Sequence, residues 1–216
     1  MKEKIFIFLV VLSALILRLI NFSNRLGLWT AFLSALIIVG IYFVIKKSDL
    51  MWARVSAVFL TISPWLVVFS RNPYSLFGRI STLFSLREVL QNYFSLFSAK
   101  YLFFSGIWPN TTKPLSYQGM MYLMDAPFFI LGLMCLLPKK KNIVEKAIVY
   151  SLLIFPVISS VVPGSFLFSL LTGIIMALIA AKGFSSLIEK SKLFLIFIVF
   201  YLFFFIRFID LYFIHS

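Results

Sequence analysis

Residues 193–209 read LFLIFIVFYLFFFIRFI, an apolar run in which Arg207 is the only charged residue. A helix that crosses the hydrocarbon core of a bilayer needs about 20 mostly apolar residues, within a range of about 17–25, so this run predicts a short membrane span. Comparable runs recur along the whole chain. Together they predict a multi-pass α-helical integral membrane protein and argue against any soluble fold.

The composition of the chain leads to the same prediction. Of its 216 residues, 62% are hydrophobic and 12% are charged, and the mean hydropathy is +1.05. Soluble domains are about 45–50% apolar and about 25% charged. A soluble fold of this size could not keep 27 Phe side chains away from water. Lipid accepts such a surface, provided that helices satisfy the backbone polar groups.

Apolar run length predicts seven spans within a single membrane domain, residues 1–216. The predicted spans are 4–20, 28–45, 51–70, 122–138, 147–162, 165–181 and 193–209. No small-residue cleavage site follows the first run, so we expect it to remain as an uncleaved span. Residues 162–164 read VPG, which predicts a tight turn and a helical hairpin between the fifth and sixth spans.

The basic residues predict how the chain is oriented. The formal net charge is +13, and lysine and arginine near membrane spans are retained on the cytoplasmic side. A cytoplasmic N-terminus leaves the stretch 71–121 and the C-terminus on the outer face of the cell membrane. The lysines then placed inside are Lys2, Lys4, Lys46, Lys47, Lys139, Lys140, Lys141, Lys146, Lys182, Lys190 and Lys192. They lie in short tethers rather than on one basic face, so no nucleic-acid partner is predicted.

The outer stretch 71–121 contains a predicted amphipathic helix. Its apolar residues recur at helical spacing: Leu76, Ile80, Leu83, Leu86, Leu90, Phe94, Phe97 and Tyr101. An opposing polar stripe comprises Ser81, Ser85, Glu88, Asn92 and Ser95. A helix with two such faces is expected to lie in the membrane interface. The predicted fold class is therefore all-α, a polytopic bundle of about seven transmembrane helices plus one interfacial helix.

Arginine is distributed differently from lysine. Apart from Arg54, every arginine lies at or near the predicted outer face: Arg18, Arg25, Arg71, Arg79, Arg87 and Arg207. A guanidinium pairs bidentately with phosphate, so this cluster suits a lipid-linked phosphate or pyrophosphate. Alternatively, these side chains only extend to the lipid headgroups. The predicted substrate-binding residues are Arg71, Arg79, Arg87, Tyr117 and Gln118.

Asp125 is the only acidic residue within a predicted span, which makes it a weak catalytic candidate, because burying a carboxylate in a membrane is expensive. It also lies near the outer boundary and close to Pro127, so a solvated or arginine-paired structural acid is the alternative. Cys135 is the only cysteine and His215 the only histidine. No metal-ligand spacing is present, so neither a metal nor a cofactor is predicted.

Several segments resemble the GT-C superfamily of membrane glycosyltransferases, which includes the protein O-mannosyltransferases and the lipid A aminoarabinose transferases. Residues 63–75, SPWLVVFSRNPYS, are similar to an SPW…FSR segment at the outer end of a family span. NYFSLFSAKYLFFSG (92–106) and QGMMYLMDAPFFILGLMCLL (118–137) resemble later family segments, in the family's order. Residues 15–22 resemble its first helix, and residues 156–183 resemble a following hairpin.

The resemblance implies transfer of a sugar from a polyprenyl-phosphate donor on the outer face of the membrane. The family's catalytic acid lies in a long first outer loop, but here that loop is only NFSNRLGLW (21–29), without Asp or Glu. Several middle spans also have no counterpart, so this would be a shortened member. Leu96, Ile107, Ser165 and Phe168 stand where the family carries His, Asp, His and Arg.

Sugar transfer needs a general base to take the proton of the acceptor hydroxyl, and no matched residue supplies one. Three functions therefore stay open. The first is a degenerate or truncated glycosyltransferase with an unusual base. The second is a non-catalytic scaffold that binds a lipid or a protein partner. The third is a small transporter subunit.

Overall fold

The computed structural model describes residues 3–19, 25–64, 66–67, 85–105, 119–137, 142–161, 166–190 and 194–210. Within these ranges the regular structure is helical and contains no strand, which confirms the all-α prediction for this part of the chain. The α-helices are α1 (Glu3–Leu19), α2 (Arg25–Lys46), α3 (Leu50–Ile62), α4 (Leu86–Leu96), α5 (Asp125–Leu136), α6 (Ile143–Val161), α7 (Phe166–Lys190) and α8 (Phe194–Ile209). A π-helical segment, Lys100–Ser105, follows α4.

Each of the seven predicted apolar segments is occupied by a helix, and α4 occupies part of the predicted interfacial segment. The largest differences are at two helix ends. The α3 ladder is interrupted at Ser63, whose backbone is extended (φ −59°, ψ 123°), because the following Pro64 disfavours a helical conformation there. In contrast, α7 continues to Lys190, well past residue 181. The predicted turn at 162–164 lies outside the described residues.

Helix α7 is the centre of the bundle. It packs against α3, α5, α6 and α8, while α1 and α2 pack with α3 and with each other. Small residues let these neighbours approach: Ala177, Ala180, Ala181 and Gly183 of α7 are all buried. Small residues at helix contacts are typical of bundles in lipid, where close van der Waals packing drives association.

Two glycines set the distance between α5 and α7. A Cβ at Gly132 of α5 would lie 1.9 Å from the carbonyl oxygen of Ile179, and a Cβ at Gly183 of α7 would lie 2.0 Å from that of Phe128. No side chain fits at either position unless the helices move apart. Just beyond the crossing, the Phe128 ring packs edge-on against Phe184, with 4.8 Å between centroids.

Two described segments are long and apolar enough to cross a membrane, namely Ile143–Val161 and Leu170–Ile188. They differ in how they are packed, since the first is mostly at the surface of the bundle and the second mostly inside it. Helix α6 also contains Pro156, which removes one backbone donor from the helix.

Candidate functional site

The predicted acid Asp125 is the first residue of α5 and is 5% exposed, so its carboxylate is buried rather than solvated. One carboxylate oxygen accepts a hydrogen bond from the backbone amide of Tyr122 at 2.9 Å, and the other accepts one from the hydroxyl of Tyr201. Its hydrogen-bond partners in the described part of the chain are thus a tyrosine and a backbone amide. A carboxylate in the first helical turn is also stabilised by the helix dipole.

Aromatic rings enclose this carboxylate. Tyr201 lies 5.0 Å from the ring of Phe59 and 5.5 Å from that of Tyr122, measured between centroids. The hydroxyl of Tyr122 donates to the carbonyl oxygen of Ile62, the last residue of α3, at 2.8 Å. The cluster of Asp125, Tyr122 and Tyr201 therefore joins α3, the start of α5 and α8.

The space beside Asp125 is very small. The cavity at this cluster has a volume of about 10 Å³ and is bounded partly by Pro64, Met120 and Gly173. A single water needs roughly 10–15 Å³, so a sugar cannot enter. A general base must come within hydrogen-bonding distance of the hydroxyl from which it takes the proton. In this conformation the space beside the Asp125 carboxylate is too small for an acceptor hydroxyl to reach it.

Of the predicted phosphate-binding arginines, Arg87 lies in the described part of the chain, in the first turn of α4. That helix begins with a capping box: the Glu88 amide donates to the Ser85 hydroxyl, and the Ser85 amide donates to the Glu88 carboxylate at 3.0 Å. The helical pattern predicts Glu88 only as part of the polar stripe. The S-x-x-E spacing was the signal that could have identified this cap.

Helix α4 packs through one face and leaves an apolar stripe exposed. The side-chain amide of Asn92 donates to the carbonyl oxygen of Ser160 near the end of α6, at 3.5 Å. Leu86, Leu90 and Phe94 are 76%, 49% and 67% exposed. Arg87 is exposed, and helical spacing places it beside Leu90 and Phe94. The remaining predicted binding residues, Arg71, Arg79, Tyr117 and Gln118, lie outside the described residues.

A second polar cluster, which the sequence does not predict, lies at the other end of the bundle. The Lys182 ammonium is 3.0 Å from the Asp49 carboxylate, 3.7 Å from the Glu145 carboxylate and 4.6 Å from the centroid of the Trp52 ring. The Trp52 indole N–H donates to the Leu178 carbonyl oxygen at 3.0 Å. This cluster ties α3, α6 and α7 together.

Asp49 also caps α3, because its carboxylate accepts the Trp52 amide at 3.0 Å. Partial burial acts to raise the pKa of Asp49, but the hydrogen bonds from Trp52 and Lys182 outweigh it and hold that pKa below its ordinary value. Nearby, Glu3 accepts hydrogen bonds from Lys46 and Tyr42, which join α1 to α2. Its contact with Lys46 lowers the pKa of Glu3.

Neither the cluster around Asp125 nor the cluster around Lys182 resembles a metal site. Within the described ranges, no three His, Cys, Asp or Glu side chains come close enough to hold an ion. Comparison of the chain with protein-family models, with curated proteins and with solved structures gives no match.

Proposed function

We propose that this chain is a polytopic membrane protein whose seven apolar helices cross the bilayer, with α4 in the outer interface. The support is the apolar surface of the bundle. Seven large apolar side chains of α8 alone are between 50% and 67% exposed: Leu195, Ile196, Val199, Phe200, Leu202, Phe203 and Ile206. Soluble monomers rarely expose so extensive an apolar patch, whereas lipid solvates it.

The proposed orientation has the N-terminus in the cytoplasm, and the two ends of α6 support it. Asn142, just before α6, donates to the Ser48 hydroxyl at 3.1 Å, beside the lysine-rich end. Ser160, near the other end, contacts α4 through Asn92. Ser160 lies 18 positions after Asn142, which is about 27 Å at a helical rise of about 1.5 Å per residue. The hydrocarbon core of a bilayer is about 30 Å thick.

The function that we propose is binding of a polyprenyl-linked phosphate at the outer face by a non-catalytic protein similar to GT-C glycosyltransferases. The observation that carries it is the position of Arg87 beside the exposed stripe of Leu86, Leu90 and Phe94. If that stripe enters the acyl region, the guanidinium lies at the level of lipid phosphates, where it forms charge-assisted hydrogen bonds. The proposed phosphate site also includes four residues of the same outer stretch, on the basis of their sequence position alone: Arg71, Arg79, Tyr117 and Gln118.

The buried surroundings of Asp125 support the non-catalytic form over an active glycosyltransferase. Its carboxylate is held by two hydrogen bonds next to a cavity of about 10 Å³, which leaves no room for an acceptor. A transporter would need polar groups that face a path through the bundle. The buried hydroxyls of Ser34, Thr61 and Ser185 instead donate to carbonyl oxygens of their own helices. Such hydroxyls do not line a polar path.

The test is a binding titration with the full chain in lipid nanodiscs. The ligand is a polyprenyl phosphate, and the corresponding polyprenol, which lacks the phosphate, is its chemical control. Arg87→Gln and Arg71→Ala should each weaken binding of the phosphate at least fivefold, because a charge-assisted hydrogen bond contributes about 1.5–3 kcal/mol. The matched control is Arg207→Gln, which removes another exposed arginine predicted at the same face.

Equal binding of the phosphate and the polyprenol would reject the proposal, as would unchanged affinity in both arginine variants. Adding a labelled polyprenyl-phosphate sugar to the same nanodiscs separates the two related functions. Retention of the intact donor is expected. Transfer of the sugar to an added acceptor would instead establish the glycosyltransferase alternative.

A further inference from the structure

A groove runs along the surface of the bundle between α2 and α6, with α7 as its floor. Its volume is about 580 Å³, far larger than the space beside Asp125. It is lined by apolar residues, apart from the Ser151 hydroxyl; the lining comes from residues 37–45 of α2, residues 143–151 of α6, and Ile175 and Leu178 of α7. On each of the two helices the lining extends over nine residues, which is about 12 Å at the helical rise of about 1.5 Å per residue.

Gly40 leaves this groove open. A Cβ built at Gly40 meets no atom within 4 Å, in contrast to Gly132 and Gly183, where helix backbone is in the way. The glycine is therefore not required for helix contact. Glycine inside a helix is less stabilising than alanine. Here it provides empty apolar space facing the surface.

The end of the groove near Ile45 and Ile143 is polar and basic. Asn142 bridges to Ser48 across this end at 3.1 Å. The neighbouring acids Glu3, Asp49 and Glu145 lie in ion pairs with Lys46 or Lys182. Lys47 follows Ile45 by two residues and Lys146 follows Ile143 by three, and both lysines are exposed. In the sequence, three more lysines directly precede Asn142.

We propose that this groove binds one acyl chain of an anionic phospholipid from the cytoplasmic leaflet, with the headgroup between Lys47 and Lys146. Charge complementarity identifies the occupant: an apolar channel that ends at exposed lysines matches a lipid with an apolar tail and a negative headgroup. Basic pockets between helices on the cytoplasmic side bind anionic headgroups in this way. The inference rests on the membrane orientation in the proposed function but not on the outer phosphate site.

The test is native mass spectrometry of the delipidated full chain, titrated with phosphatidylglycerol or with phosphatidylcholine. We expect one phosphatidylglycerol bound per chain, more tightly than phosphatidylcholine. Lys47→Gln should weaken phosphatidylglycerol binding about fivefold, because one lysine near an anionic surface contributes about 1 kcal/mol. It should leave phosphatidylcholine binding unchanged.

Gly40→Trp fills the groove and should weaken binding of both lipids at least tenfold. The matched control is Leu33→Trp, which adds an indole on α2 at a residue that is 49% exposed and lies outside the groove. If Gly40→Trp does not fold, Gly40→Leu fills less of the same space. Wild-type affinity for phosphatidylglycerol in a folded Gly40 variant would overturn the proposal.

A wild-type dimer that becomes monomeric in Gly40→Trp would also overturn it, because a second copy would then occupy the groove. Polyprenyl phosphate binding, measured on the same variants, keeps the two proposals separate. It should be unaffected by Gly40→Trp, whereas Arg87→Gln should leave phosphatidylglycerol binding intact.

Discussion

The hydroxyl of Tyr201 in α8 donates a hydrogen bond to the carboxylate of Asp125 at the start of α5, across 76 residues of sequence. Both residues are buried, and α8 otherwise presents mostly apolar side chains to its surroundings. This contact is therefore a polar link that fixes where the last described helix lies against the bundle. Because it is buried, losing either partner carries a cost.

We expect Tyr201→Phe to reduce the free energy of unfolding by about 1–3 kcal/mol, since a buried carboxylate oxygen is then left without its donor. The ring and its 5.0 Å contact with Phe59 are retained, so packing changes little. Denaturant titration in detergent micelles measures the effect. The matched control is Tyr150→Phe on α6, where the side chain is 61% exposed and the change should be neutral. Equal stability of the two variants would contradict the inferred link.

Substituting Gly132 should loosen the crossing of α5 and α7. Gly132→Ala places a methyl group against the Ile179 carbonyl oxygen, and overpacking of this kind typically costs about 1–3 kcal/mol. Gly40→Ala is the control, because it adds the same methyl group where no atom lies within 4 Å. It should be neutral or stabilise by up to about 1 kcal/mol. Thermal unfolding of both variants in one detergent compares them, and similar midpoints would show that the crossing tolerates a Cβ.

Asp49 should contribute to stability only above acidic pH. A carboxyl whose pKa is lower in the folded than in the unfolded state stabilises the fold above its unfolded pKa of about 4. That contribution is lost as the pH falls through the lower, folded-state pKa. Asp49→Asn keeps a side-chain oxygen that can cap α3 but removes the charge.

We therefore expect Asp49→Asn to be less stable than the parent at pH 6, with the difference shrinking as the pH falls below about 4. Unfolding midpoints between pH 6 and pH 3 provide the measurement. The pKa of Glu3 is also lowered, but Glu3 titrates in the parent and in the variant alike. Its effect on stability therefore cancels in the difference between the two proteins. A difference that stays constant with pH would mean that the charge of Asp49 does not contribute.

The proposed orientation predicts which engineered cysteines react from outside the cell. Cys135 is the only native cysteine, so Cys135→Ala provides a background without thiols. In it, Gln91→Cys on the exposed side of α4 should react with a membrane-impermeant maleimide on intact cells. Lys47→Cys should react only after permeabilisation. The reverse pattern would place α4 in the cytosol and exclude the outer phosphate site.

The apolar runs predicted where the helices lie. In lipid the backbone N–H and C=O groups of an apolar segment must bond to each other, and a helix satisfies them within that one segment. The end of α3 was less predictable. Apolar residues continue past Pro64, yet the proline interrupts the ladder at Ser63. The end of α7 was misplaced for a different reason. The sequence predicts that Lys182 begins a cytoplasmic tether, but Lys182 lies within α7, where its ammonium contacts Asp49 and Glu145 of other segments.

The polar contacts could not be predicted from sequence spacing. Asp125 stood out as the acid in a span, but its partner Tyr201 is one of nine tyrosines, and only the packing of α8 brings the two together. The contact between Lys182 and Asp49 spans 133 residues and has no local signal. The capping box at Ser85 and Glu88, by contrast, depends on a three-residue spacing that can be read directly.

The reciprocal glycine contacts have a consequence for motion. Gly132 faces the backbone of α7 and Gly183 faces the backbone of α5. If one helix slid along the other, a larger residue would replace a glycine at this contact and its side chain would collide with the opposite backbone. Since α7 also supports α3 and α6, these helices are expected to behave as one rigid core. Any rearrangement that accompanies ligand binding should therefore be confined to α1, α2, α4 and α8, the helices outside this core.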